Sequence, residues 1–213
     1  CPTYKFLCQA ATFIGVETNF RGDEFPFVVQ NRTMAGQFSA HVMTSVISGF
    51  IISFPYVLYE FWKFISPGLL EKEKAKSRGF IFISSILFFV GVLFGYYVIS
   101  PLSINFLGTY QVSTQVLNEI DLGSFISLVR SSALASGIIF ELPIIIYFLT
   151  KAGVVTPESL VKYRKYALVL VLILAAIITP PDVASQIIVA IPIVVLYQVS
   201  IFISKIVVKN QNK

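Results

Sequence analysis

The basic residues of this chain are confined to alternate gaps between its apolar segments, and this pattern restricts both its fold and its placement. Five apolar runs cover Phe38–Tyr59, Phe80–Leu102, Leu122–Thr150, Ala167–Ile178 and Val183–Ser204. The first and third gaps and the C-terminal tail carry lysine or arginine, whereas the second and fourth gaps carry neither. Because cytoplasmic loops of membrane proteins retain Lys and Arg, the gaps alternate between inside and outside. The sequence therefore predicts a membrane protein with a cytoplasmic C-terminus and an external N-terminus.

Composition excludes an ordinary soluble domain, since 56% of the residues are apolar. The net charge of +5 would suggest nucleic-acid binding in a soluble protein. Here the basic residues lie at the predicted cytoplasmic ends of the spans, so membrane topology accounts for them. No nucleic-acid partner is predicted.

The predicted fold class is all-α, a polytopic helical membrane protein with five visible transmembrane helices. Its parts are an external segment (1–36), a transmembrane domain (37–204) and a cytoplasmic tail (205–213). The spans are expected at about 38–64, 78–102, 122–151, 163–178 and 183–204. The apolar run of the fourth span gives only about 18 Å of helix. The strongly apolar part of the final span, Ile187–Tyr197, is short as well. Two short adjacent helices predict local thinning of the bilayer or cover by partner helices.

Small residues and capping residues predict local features of these helices. Ser45, Ser48 and Gly49 indicate close approach of a neighbouring helix to the first span. Asp121 precedes the third span at an N-cap position. Thr156-Pro157-Glu158 predicts the start of a short cytoplasmic helix, with proline at its first position.

Catalytic signatures are scarce. The chain has no HExxH, GxSxG, P-loop or glycine-rich dinucleotide motif. Its single histidine, His41, lies at the outer end of a span, and Cys1 and Cys8 fall in the external segment. The two cysteines are compatible with either a disulfide or free thiols. We predict neither an enzyme nor a bound metal or cofactor.

Glu141 is an ionisable residue inside the third run. Such a group costs roughly 2.5–3.5 kcal/mol on insertion scales, so it normally faces a polar cavity or a partner. It is either a functional site or an interhelical hydrogen bond that fixes packing. A proton-coupled small-solute transporter using Glu141 is the alternative function, although the absence of an internal repeat counts against it.

Two loops carry further candidates. Glu71 and Glu73 lie in a lysine-rich loop, where they mark either a solvated helix start or a contact for a basic peptide, and charge alone favours the former. The turn Thr179–Asp182 joins the last two spans, and Asp182 is expected to cap the final helix. Gln186 lies on the same helical face as Asp182. A Thr179/Gln186 patch that binds a polar residue of an incoming helix remains an open alternative to a purely structural role.

Together these segments resemble TatC, the multi-span receptor subunit of the twin-arginine protein translocase. The matching stretches are 34–38, 54–56, 60–62, 64–69, 71–73, 140–143, 156–158 and 179–186. Their order, spacing and predicted topology agree over about residues 25–204. The family has six spans with both ends cytoplasmic, so the resemblance implies that the chain lacks the family's first span.

The resemblance implies a receptor that binds twin-arginine signal peptides of folded proteins and recruits partners for export driven by the proton gradient. It places Glu73 at the family's acidic signal-peptide position, with Phe64 and Glu71 in the same region. Glu141 corresponds to the family's intramembrane polar site. The residues implied for docking partner helices are Thr179, Asp182 and Gln186.

The resemblance also implies the partners and the location. The partners are TatA/TatB-like single-span proteins, twin-arginine precursor proteins, membrane lipids and further copies of the chain. The location is the bacterial cytoplasmic (inner) membrane, crossed several times. No cofactor is implied.

Overall fold

The computed structural model describes residues 28–65, 77–113, 118–179 and 183–211. In chain order the elements are β1 (Val28–Gln30), α1 (Gly36–Ile65), α2 (Ser77–Phe94), a π-helical turn (Gly95–Ile99), α3 (Ser100–Thr109), β2 (Glu119–Asp121), α4 (Leu122–Phe140), α5 (Leu142–Lys151), α6 (Pro157–Lys162), α7 (Arg164–Ile178) and α8 (Val183–Gln211). The predicted all-α class is confirmed. The parallel pair of β1 and β2 is a small addition to it.

Among the residues that the structure describes, four helical stretches are long and apolar enough to cross a membrane. They are Gly36–Lys63, Ile81–Thr109, Leu122–Lys151 and Ser185–Lys209. In contrast, α7 has 15 residues, which gives about 22 Å of helix against a hydrocarbon core of about 30 Å. The described chain thus combines four candidate spans with one short apolar helix.

The short helix α7 is held against α8 by the main buried apolar cluster. Val171 and Ala175 of α7 pack there with Val189 and Ile193 of α8 and with Ile99 of the π-helical turn. Outside this cluster many large apolar side chains are exposed, as in α1, where only 6% of the span is buried. Such surfaces suit contact with lipid, because backbone hydrogen bonds are already satisfied within each helix.

Three of the predicted spans differ from the helices observed, and the fifth, expected to be short and to end at Ser204, continues as α8 to Gln211. The second was expected to end at Leu102, but helix continues to Thr109. Pro101 does not stop it because proline is tolerated in the first turn of a helix, here α3. The third was expected as one run, but it divides at Glu141 into α4 and α5. Pro143 explains the division, since it lacks the N–H group that would continue the helical hydrogen bonds.

The strand pair lies at one end of the helices, since β1 precedes α1 and β2 precedes α4. Arg32, next to β1, forms an ion pair of 3.2 Å with Glu119 of β2. Asp121 caps α4 as predicted, its Oδ2 accepting a hydrogen bond of 3.1 Å from the Ser124 N–H. This bond, with contacts from Arg32, lowers the pKa of Asp121. The predicted start of α6 is also confirmed, because Thr156 accepts a hydrogen bond from the Ser159 N–H.

Glycines bring α2 and α4 into close contact. A Cβ atom added at Gly91 would lie 2.7 Å from the Cβ of Phe140, and one added at Gly95 would lie 2.5 Å from the Ser132 carbonyl oxygen. On the facing helix, a Cβ at Gly137 would lie 2.8 Å from the Phe88 ring. All three distances are shorter than van der Waals contact. The helices can therefore approach this closely only because these positions lack side chains.

We predict that Gly95→Ala destabilises the protein by about 1–3 kcal/mol, because the added methyl group overpacks the contact with Ser132. The matched control is Gly49→Ala in α1, where no described atom lies within 4 Å of an added Cβ. The control should be neutral or stabilise by up to about 1 kcal/mol, since alanine is the better helix former. Thermal unfolding in detergent measures both, and equal effects would contradict the proposed contact.

Candidate functional site

Glu141 occupies the break between α4 and α5 and is 7% exposed. Its backbone remains hydrogen-bonded there. The N–H group donates to the Ile138 carbonyl at 3.1 Å, and the carbonyl accepts from the N–H groups of Ile144 and Ile145, both at 3.0 Å. The chain thus places a carboxyl group in the interior of a predicted span without leaving the backbone of this residue unpaired.

Ser84 of α2 is the partner of this carboxyl group. Its hydroxyl donates to Glu141 Oε2 at 2.5 Å, and Ser84 is fully buried. The second oxygen, Oε1, is also buried and has no hydrogen-bond partner among the described residues. Glu141 therefore joins α2 to the α4–α5 break while retaining one oxygen that is able to accept a further hydrogen bond.

Aromatic rings flank this polar pair. Phe88, one helical turn after Ser84, stacks on Phe54 of α1 with ring centroids 3.6 Å apart. The Phe88 ring also packs against Gly137, one turn before Glu141, where an added Cβ atom would lie 2.8 Å from it. The pair consequently lies where α1, α2 and α4 meet, beside an apolar stack that excludes water from one side.

Thr179 and Gln186 lie in a second polar group, in the hairpin of α7 and α8. Thr179 is 4% exposed, and its hydroxyl donates to the Ala175 carbonyl at 2.9 Å. Gln186 Nε2 donates to the Leu172 carbonyl at 3.0 Å and so ties the start of α8 to α7. No hydrogen bond in the described part of the chain joins either residue to Glu141. The predicted site residues therefore form two separate groups.

The other predicted site residues are not placed by the structure. Glu71, Glu73 and Asp182 lie outside the described residues. Phe64 belongs to the last turn of α1, but its side chain is outside the described part. Their roles stay predictions.

Polar contacts also fasten the opposite end of α8. Thr150 of α5 is hydrogen-bonded to Ser204 at 2.9 Å, and the Tyr197 hydroxyl donates to the Leu160 carbonyl at 2.9 Å. The side-chain amide oxygen of Gln198 points toward Arg164 and accepts hydrogen bonds of 2.9 Å from Arg164 Nε and 3.0 Å from Arg164 Nη2. These contacts fix α5, α6 and α7 against α8. In the part of the chain that the structure describes, no His, Cys, Asp and Glu side chains are grouped to hold a metal ion.

Sequence reasoning missed two components of the site. Ser84 carries no sequence signal for its role, because its partner is 57 residues away. The close contact of α2 with α4 did have a signal, the GxxxG spacing of Gly91 and Gly95 in an apolar segment. Close helix approach was instead expected at Gly49, which faces open space among the described residues.

Comparisons with known proteins identify what the chain is similar to. The family described as Sec-independent protein translocase protein (TatC) matches residues 3–192. The Sec-independent protein translocase protein TatC of Blattabacterium sp. subsp. Periplaneta americana (strain BPLAN) is 49% identical over 86% of this chain and 69% of its own length. The protein of the same name from Helicobacter pylori (strain ATCC 700392 / 26695) is 43% identical over 78% of this chain and 65% of its own length. The chain thus spans about two thirds of the length of these relatives.

A solved structure shares the fold. "Crystal Structure of Twin Arginine Translocase Receptor- TatC" matches with a TM-score of 0.71 and 33% sequence identity. The match covers 97% of this chain and 90% of the solved one. The arrangement of helices described above is therefore that of a known polytopic membrane protein.

We predict that Ser84→Ala destabilises the protein by about 1–3 kcal/mol, because it leaves the buried Glu141 carboxyl group without its partner. Ser85→Ala is the matched control. Ser85 is also buried, but its hydroxyl donates to the Ile81 carbonyl of its own helix at 2.7 Å, so its loss should have a smaller effect. Thermal unfolding in detergent compares the two variants, and a larger effect of Ser85→Ala would contradict the role of Ser84.

Proposed function

The chain belongs to the TatC family of Sec-independent protein translocase proteins, and we propose that it is the receptor for twin-arginine signal peptides in the bacterial inner membrane. The observation that carries the proposal is the match of nearly the whole chain to a solved twin-arginine translocase receptor. Family membership makes it a component of protein transport rather than an enzyme. The receptor role goes further, to the recognition of cargo.

The distribution of charge supports a cytoplasmic position for one end of the bundle. Lys151 ends α5, and the contact of Thr150 with Ser204 places it beside the basic end of α8. Lys205 and Lys209 lie in that end of α8, and α6, which carries Lys162, packs beside it. Since cytoplasmic segments retain basic residues, we assign this end, and with it the C-terminus, to the cytoplasm.

Signal-peptide binding is assigned to the loop between α1 and α2 at the same end. In this proposal Glu73 binds the paired arginines of the signal peptide, and Glu71 and Phe64 contribute to the same site. A carboxylate accepts two parallel hydrogen bonds from a guanidinium group, which suits recognition of arginine over lysine. The apolar part of the signal peptide would then lie along the bundle toward Glu141.

Partner helices of the TatA/TatB type would dock at the α7–α8 hairpin. The exposed side of α7 includes Ile173 and Ile177, which are 55% and 75% exposed. The side-chain amide nitrogen of Gln186 donates to the Leu172 carbonyl. The side-chain oxygen of Gln186 is therefore the group that would accept a hydrogen bond from a polar residue of the partner. Assembly of several copies with these partners, driven by the proton gradient, completes the proposal.

We predict that a photo-crosslinker at position 73 captures a twin-arginine precursor in membrane vesicles, and that the crosslink is lost when the arginine pair becomes Lys-Lys. Glu73→Ala should weaken precursor binding roughly 10-fold, the value of a charge-assisted hydrogen bond. Glu60→Ala is the matched control, because Glu60 instead lies near Lys63 in α1, 3.9 Å away. Unchanged binding by Glu73→Ala in a correctly inserted protein would refute the assigned site.

We predict that Gln186→Leu lowers recovery of TatA/TatB-like partners with the purified protein several-fold, because leucine fills the same space without an acceptor. Gln198→Leu is the control, since Gln198 is the amide of α8 that bonds Arg164 at the other end of the hairpin. Co-purification from membranes measures both. If the two variants lose partners equally, the loss reflects a weakened hairpin and the docking role is wrong.

A further inference from the structure

A groove between α6 and the end of α8 is lined by residues that have no role in the proposed partner docking or signal-peptide binding. It has a volume of about 550 Å³, and three lysines, Lys162, Lys205 and Lys209, line it together with one acid, Glu158. Its apolar lining includes Val161 and Val208. The groove therefore combines an excess of positive charge with an apolar floor.

The lysines of the groove are available for a ligand. In the described part of the chain, none of the three has a carboxylate within ion-pair distance, and the Lys162 ammonium group lies 5.8 Å from the centroid of the Tyr163 ring. All three are exposed. Three ammonium groups and one carboxylate leave the groove with an excess of positive charge, so a bound anion lowers its electrostatic free energy.

The groove is also held in a fixed shape. The Tyr197 hydroxyl donates to the Leu160 carbonyl at 2.9 Å and so attaches α6 to α8 beside it. Pro157, the first residue of α6, is buried in the same contact region. A ligand consequently meets a preformed site rather than one that must be ordered on binding.

The position of the groove indicates a ligand that is itself part of the membrane. Lys205 and Lys209 lie in the last turns of the candidate span Ser185–Lys209, where the hydrocarbon core gives way to the headgroup region. Below them, Phe202 and Val199 of α8 are 66% and 43% exposed. An apolar surface thus runs from the basic groove along the helix into the membrane.

We propose that this groove is a specific binding site for an anionic phospholipid. The phosphate headgroup lies among Lys162, Lys205 and Lys209, and the acyl chains pack along Phe202 and Val199. Charge complementarity selects an anionic over a zwitterionic headgroup, and the apolar surface selects a lipid over a free phosphate ion.

The test measures the stabilisation and affinity of the purified full chain in detergent with short-chain phosphatidylglycerol. Phosphatidylcholine of the same chain length and inorganic phosphate are the comparison ligands. We expect a concentration-dependent rise in the unfolding midpoint with phosphatidylglycerol alone. Equal stabilisation by phosphatidylcholine, or by inorganic phosphate, would overturn the proposal in favour of an acyl-chain site or a simple anion site.

Variants separate this site from general surface charge. Lys205→Gln with Lys209→Gln should weaken phosphatidylglycerol binding roughly 30-fold, because each lysine near an anionic lipid surface contributes about fivefold. Lys205→Arg with Lys209→Arg keeps the charge and should retain binding, which excludes misfolding as the cause. Lys63→Gln with Lys165→Gln removes the same charge outside the groove and should leave affinity unchanged. Equal losses in the two Gln pairs would overturn the proposal.

Discussion

The close contact between α2 and α4 is the constraint on which the other features of the bundle depend. Gly91 of α2, Gly95 of the π-helical turn that follows it and Gly137 of α4 allow the backbones to approach without intervening side chains. This contact sets Ser84 opposite Glu141 and Phe88 against Gly137. In a membrane, where burying apolar side chains away from lipid gains little, such shape matching and the buried hydrogen bond have to hold the helices together.

A break in a helix is costly inside a membrane, and here it coincides with the one acid in the described interior of a span. Pro143 prevents the regular helix from continuing, yet Ile144 and Ile145 both donate to the Glu141 carbonyl, so this backbone group is satisfied. In the hairpin of α7 and α8 a side chain joins the two helices, because Gln186 Nε2 donates a hydrogen bond to the Leu172 carbonyl. Polar groups at depth therefore hold the helices of this fold together.

Local features of this chain could be predicted from the sequence, whereas the pairings between distant elements could not. The helix starts at Asp121 and Thr156 were correct because a capping residue and the helix it caps are neighbours in sequence. The bond of Ser84 to Glu141 depends on which helices pack together, and one buried serine among many gives no indication of its partner. No described atom lies within 4 Å of a Cβ added at Gly49, so the close approach expected there stays a prediction, since a small residue permits a contact without specifying where a neighbour lies.

The strand pair at the end of the bundle has a consequence for the order of folding. Arg32 and Glu119, which tie β1 to β2, are separated by 87 residues that include α1, α2 and α3. Closing so long a loop costs chain entropy that three paired residues on each strand cannot offset alone. The intervening helices must first insert and pack to bring the strands together. We therefore expect the ion pair to form after the membrane helices have assembled.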